Sequence, residues 1–191
     1  MKPPATNGQG PVVFLDRDGV VNRPPPDGSW VFSWDEFHFA DGALDALRRL
    51  HEAGFVSVVV TNQSCVGRGL LDRTVVDDIH QKMTEAVERA GGCLAAVYVC
   101  PHVDADACRC RKPRPGMIEQ AAADLGVDPA TGYLIGDSER DIACGAAMGC
   151  TTYIVERPDK PPRESTSADH EVFDLAEAVD AILANEGSAT R

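Results

Sequence analysis

Asp16-Arg17-Asp18-Gly19 places two carboxylates two residues apart, directly after the apolar run Pro11–Leu15. If the chain turns at Gly19, both acids can face one ligand. One carboxylate can then attack phosphorus as a nucleophile. The other can protonate a leaving oxygen and afterwards deprotonate water. Further along, Thr61-Asn62-Gln63-Ser64 ends a second apolar run, Phe55–Val60. It offers a hydroxyl and backbone N–H groups suited to phosphoryl oxygens. Gly136-Asp137-Ser138-Glu139-Arg140-Asp141 ends a third run with two acids four residues apart. Hard oxygen donors of this kind suit Mg²⁺, although acids are also favoured at a helix N-terminus. Lys112, in Arg111-Lys112-Pro113, supplies a fixed cation for a transferring anion.

A second cluster precedes Lys112. Cys100-Pro-His102 and Cys108-Arg-Cys110 form a Cys₃His set, the donor chemistry of tetrahedral Zn²⁺. With four protein ligands no position is left for a reactive water, so the expected role is structural. A clamped loop would hold Arg111 and Lys112 at a pocket rim. A Cys108–Cys110 disulfide is strained and out of place in a reducing compartment. The other cysteines, Cys65, Cys93, Cys144 and Cys150, are expected to be small buried apolar side chains.

The elements that must carry these groups alternate between strand and helix. Strands are predicted at 11–15, 55–60, 94–99, 132–136 and 151–155. Helices are predicted at 41–53, 72–90, 115–125, 139–148 and 174–184. The pattern predicts an α/β fold, a three-layer Rossmann-like arrangement with a mostly parallel central sheet and helices on both faces. Ligands of such sheets bind beyond the carboxyl ends of the strands, where Asp16, Thr61, Cys100 and Asp137 stand. One domain is expected over 11–185, including a metal loop at 100–110, between a loose leader, 1–10, and a frayed tail, 186–191. Asn22–Ser29 is Pro-rich and is expected to be a surface loop.

Composition sets the wider limits. The 191 residues, 43% hydrophobic, suffice for one core. The net charge of −12 argues against a nucleic-acid surface or an anionic membrane as partner. Positive charge at a phosphate site must therefore be local. No segment reads as a signal peptide or a membrane span, so the expectation is a cytoplasmic protein, and a monomer because no long apolar surface stripe stands out.

FLDRDG, TNQS, RKP and GDSERD together resemble the four motifs of the haloacid dehalogenase superfamily, spread over most of the chain. The resemblance implies Asp16 as nucleophile, Asp18 as acid/base, and Thr61 and Lys112 as phosphate stabilisers. It implies Mg²⁺ held by Asp16, the Asp18 carbonyl and Asp137, with Asp141 in support through water. With the CPH…CxC loop and CRKPRPGM, the chain is similar to the capless heptose bisphosphate phosphatase branch, whose sister is the histidinol-phosphatase domain. The small partner implied is a phosphorylated sugar. Asn62, Gln63, Ser64 and Arg111 are the implied substrate contacts, Arg68 a weaker one. Ser138 stands where many members of the branch have a substrate-binding Lys, and the loop Arg23–Trp30 is lengthened. A histidinol-phosphate phosphatase and a catalytically silent phosphosugar-binding protein are the alternatives.

Overall fold

The computed structural model describes residues 10–25, 27–157 and 163–189. Most of the expected leader and the end of the expected tail lie outside the described residues, as does Pro26 of the Pro-rich loop. Six strands form one sheet: β1 (Val12–Leu15), β4 (Val56–Asn62), β5 (Ala96–Cys100), β6 (Tyr133–Gly136), β7 (Thr151–Val155) and β8 (His170–Val172). Their order is β5-β4-β1-β6-β7-β8, and every pairing is parallel. Two further strands, β2 (Asn22–Arg23) and β3 (His38–Phe39), pair antiparallel in a separate ribbon.

Side-chain alternation along β1 explains the layers. Val13 and Leu15 face a core shared with helices α1 (Ala43–Glu52), α2 (Arg73–Arg89) and α5 (Leu175–Ala189). Val12 and Phe14 face a second core, to which Met117 and Ile118 of α3 (Gly116–Leu125) and Cys144 of α4 (Glu139–Ala146) contribute. A strand buried on both faces has to be apolar at every position, and all four residues of β1 are. The five expected strands and five expected helices are present, with ends displaced by a few residues.

Three differences have physical causes. β8 was not expected, because its three residues at the sheet edge include exposed His170 and Glu171 and carry no apolar run. The β2–β3 ribbon interrupts the expected surface loop, and two residues per strand are too few to show periodicity. Helix α5 continues past Ala184 to Ala189. Among the described residues no helix is long and apolar enough to cross a membrane.

The chain leaves β1 for β4 and β5 on one side, then returns across the sheet to β6 on the other. The direction of winding reverses at β1. Its carboxyl end is therefore the switch point where a parallel sheet opens a crevice.

Candidate active site and metal cluster

That crevice is a cleft of about 250 Å³ lined by Asp16, Asp18, Thr61, Lys112, Asp137 and Asp141, among others. Asp16 leaves β1 with its backbone N–H donated to Ile135 of β6, so the neighbouring strand fixes its position. Gly19 turns the chain back at φ +93, and a Cβ there would lie 2.6 Å from Asp137 Oδ2. Only glycine tolerates both that backbone and that approach.

The centre of the cleft is an ionic cluster. Lys112 Nζ donates to Asp141 Oδ1 at 2.6 Å, Asp16 Oδ1 at 2.9 Å and the Val60 carbonyl at 2.7 Å. Burial alone would lower the Lys112 pKa, but the carboxylates of Asp141 and Asp16 outweigh it and hold the pKa above the ordinary lysine value. Burial pushes Asp16 up to about 7, against the pull of Lys112 and with help from the neighbouring acids, Asp141 foremost. Asp141 goes the other way. Burial opposes its charge, but Lys112 and the Ser138 hydroxyl, 2.5 Å away, keep its pKa low. Asp16, Asp137 and Asp141 have ligand oxygens all within 4.8 Å of one another. Three hard carboxylates so placed fit a divalent cation of the Mg²⁺ type. Asp141 belongs to this set of oxygens and also contacts Lys112.

Asp18 is held differently. Its carboxylate accepts from Arg17 Nη2 at 2.8 and 2.9 Å, Asn22 Nδ2 at 3.0 Å and Gln63 Nε2 at 2.8 Å. Burial disfavours its charge, yet the Arg17 guanidinium and these hydrogen bonds hold its pKa below the usual carboxylate range. Arg17 is itself completely buried and donates from Nη1 to His80 Nε2 at 3.0 Å. Because arginine can only donate, His80 accepts and stays neutral. Burial, then the Arg17 charge, push its pKa from 6.5 down to about 3. An unfolded histidine binds a proton below 6.5, whereas the folded one does not until about 3. This stability is complete above 6.5 and is lost as the pH falls through that window. From pH 7 to pH 5 the loss from His80 is about 2 kcal/mol. Urea unfolding at both pH values should show that drop in the wild type, and a His80→Gln variant should lack that part of it.

The remaining expected site residues divide. Thr61 and Asn62 line the cleft, and Asn62 binds the Lys112 backbone in both directions, donating to its carbonyl and accepting from its N–H. Gln63 and Ser64 are buried and lie outside the lining; Gln63 bridges Asp18 and Thr61 instead. Arg111 does not line the cleft either. Its Nε donates to Asp104 at 2.5 Å and its Nη1 to the His102 carbonyl at 3.2 Å. Arg68 lies outside the lining with its guanidinium 5.8 Å from the ring centre of Trp30, which does line it. Trp30, Arg140 and Arg157 were missed. Arg157 donates to Asp137 Oδ2 and follows β7, so the strand-end rule that found Asp137 would have found it too.

Beside the cleft, Cys100, His102, Cys108 and Cys110 converge on one point. The sulfur–sulfur distances are 3.3, 3.5 and 3.7 Å, and Cys110 Sγ is 3.2 Å from His102 Nδ1. These are far too long for disulfides, whose S–S bond is about 2.05 Å. Ligands about 2.3 Å from a common centre would be about 3.8 Å apart at tetrahedral angles, so the cluster could bind zinc. Of the remaining cysteines, Cys65, Cys144 and Cys150 are buried as expected, whereas Cys93 is half-buried.

A parallel sheet with opposed acids at the tips of β1 and β6, and a lysine between them, makes a site for a phosphoryl group beside a divalent cation. Residues 109–180 match the HAD-hydrolase-like family. D-glycero-β-D-manno-heptose-1,7-bisphosphate 7-phosphatases are similar over nearly the whole length. The Bordetella bronchiseptica protein is 41% identical over 76% of this chain and 80% of its own. The Yersinia pestis protein is 37% identical over 91% of this chain and 96% of its own. The crystal structure of the D,D-heptose 1,7-bisphosphate phosphatase from B. bronchiseptica, complexed with magnesium and phosphate, superposes with a TM-score of 0.81. It is 36% identical, covering 92% of this chain and 99% of that one. The chain belongs to the D-glycero-β-D-manno-heptose-1,7-bisphosphate 7-phosphatase family, and it is a phosphatase.

Proposed function

We propose that the protein removes the 7-phosphate of D-glycero-D-manno-heptose 1,7-bisphosphate through a phospho-aspartyl intermediate on Asp16. The observation that carries this reading is the convergence of Asp16, Lys112, Asp137 and Asp141 at the switch point of the sheet. Asp16, the Asp18 carbonyl and Asp137, with Asp141 beside them, would hold Mg²⁺. When bound, the ion would offset phosphoryl charge and so let an anionic nucleophile approach an anionic ester. Lys112 and Thr61 hold the phosphoryl oxygens. An Asp16 oxygen bonds to phosphorus as the bond to the sugar oxygen breaks, and Asp18 gives that oxygen its proton. Asp18 then takes a proton from the water that attacks the phospho-aspartate, which regenerates Asp16 and releases inorganic phosphate. The donors around Asp18 suit the second role.

The Cys₃His cluster would hold one structural Zn²⁺ and so fix the loop that carries Lys112. Metal analysis of protein purified without added metal should give about one zinc per chain. A Cys110→Ser variant should lose it, melt at lower temperature and hydrolyse substrate at least about tenfold more slowly. Free thiols at all three cysteines in the wild type would refute the zinc assignment. The same reading takes 11–185 as one domain of a cytoplasmic monomer that acts on a small phosphosugar, not on nucleic acid or a membrane.

A phosphate-release screen over heptose 1,7-bisphosphate, other phosphosugars and histidinol phosphate, with Mg²⁺, tests the substrate. The heptose bisphosphate should be turned over fastest. Faster release from histidinol phosphate would overturn the assignment.

A further inference from the structure

Arg17 stands between the two acids that follow β1, yet it is completely buried and does not line the cleft. Burying a guanidinium is costly, and an apolar side chain of similar volume would serve packing better. Among the described residues its side chain has two partners. Nε and Nη2 fork onto the Asp18 carboxylate at 3.2, 2.8 and 2.9 Å, and Nη1 donates to His80 Nε2 of α2 at 3.0 Å. The one carboxylate that Arg17 pairs with is therefore Asp18, which does line the cleft.

A guanidinium is planar, so anchoring Nη1 on His80 also fixes the edge that faces Asp18. Asp18 Oδ1 accepts from Arg17 and Asn22, and Oδ2 accepts from Arg17 and Gln63. Rotation of the carboxylate about Cβ–Cγ would break contacts at both oxygens. Asn22 and Gln63 are buried as well, and Gln63 Nε2 also donates to Thr61 Oγ1 at 2.9 Å. The carboxylate is thus held at a set place relative to the Thr61 hydroxyl. Among the described residues every side-chain partner of Asp18 donates, which is the surrounding of a group that accepts a proton.

We propose that Arg17, anchored by His80, is a positioning residue that aims the Asp18 carboxylate at the water that hydrolyses the phospho-aspartate. In that step Asp18 takes a proton from the water as the water oxygen bonds to phosphorus and the bond from phosphorus to the Asp16 oxygen breaks. The proposal rests on the roles of Asp16 and Asp18 given above, and p-nitrophenyl phosphate separates the two. Nitrophenolate leaves without a proton and marks formation of the phospho-aspartate, whereas inorganic phosphate marks its hydrolysis. Both products are followed through a single turnover with Mg²⁺ by rapid quench, on wild type, Arg17→Met, Arg17→Lys, His80→Leu and Asp18→Asn. In Arg17→Met phosphate release should slow by about 10²-fold while nitrophenolate release stays within about threefold. The lag between the two products does not depend on how much of the protein is folded, so a merely structural role would not move it. Arg17→Lys keeps the charge but not the fork and should lag too. His80→Leu should give a shorter lag, and its absence would strike His80 from the arrangement. If Asp18→Asn gives no lag, the base role of Asp18 falls and this proposal with it. If Asp18→Asn lags while both Arg17 variants lag no longer than the wild type, the positioning role of Arg17 alone is overturned.

Discussion

An Asp16→Asn variant is expected to fold, to keep the metal content of its cysteine cluster, and to lose phosphate release by on the order of 10³-fold or more. The amide keeps the shape of the side chain and its hydrogen bond from the Arg17 backbone, 2.7 Å from Oδ1. It does not keep the nucleophile. Folding should survive because Lys112 retains Asp141 at 2.6 Å, so no buried charge is orphaned. The buried carboxylate removed is one whose pKa burial has already raised to about 7, which means that its charge is poorly accommodated. Phosphate release, circular dichroism and metal content, measured together, check the result. Turnover near the wild-type rate would refute the nucleophilic role of Asp16. Loss of fold would instead place the residue in the framework of the sheet.

A Lys112→Met variant should fail in both respects at once. Lys112 is 2% exposed and stands between two carboxylates. Removing it leaves Asp16 and Asp141 facing each other without a counter-charge. Loss of one partner from a buried pair costs about 3–5 kcal/mol, or roughly 10 °C of melting temperature in a domain of this size. Loss of the cation that meets the phosphoryl group should lower kcat by on the order of 10²- to 10³-fold. The two effects can be separated. Adding Asp16→Asn to Lys112→Met relieves the repulsion, so stability should partly return while activity does not. A single variant as stable as the wild type would show that the cluster is not held together by charge.

The chemistry of the centre was legible because each group follows an apolar run. Asp16, Thr61 and Asp137 were each found by asking what stands where a buried strand ends. That test works because a strand buried on both faces is largely apolar: Val12–Leu15 is so throughout, and Val56–Val60 is so apart from the buried Ser57. The cysteine cluster was legible from donor type and closeness along the chain. Arg111 was harder. The RKP motif does not reveal that its guanidinium pairs with Asp104, a residue seven positions earlier whose loop conformation no local pattern shows. Arg17 was given no role in the sequence, although it is the buried fork that holds Asp18. Its partner His80 lies on α2, one apolar-face position among several.

The order of apolar runs, glycine stops and acids along the chain determined by itself a parallel α/β fold with acids at its strand ends, and the resemblance of the four motifs added phosphatase chemistry with Asp16 as the implied nucleophile. These are local properties, because burial on two faces and turn geometry are set by neighbouring residues. Tertiary structure alone decided the strand order that puts β1 between β4 and β6, the pairing of Lys112 with both Asp16 and Asp141, and the cations that line the cleft. Those depend on contacts between residues far apart in the chain. Such contacts form only when long loops close over a shared core, and no periodicity records them.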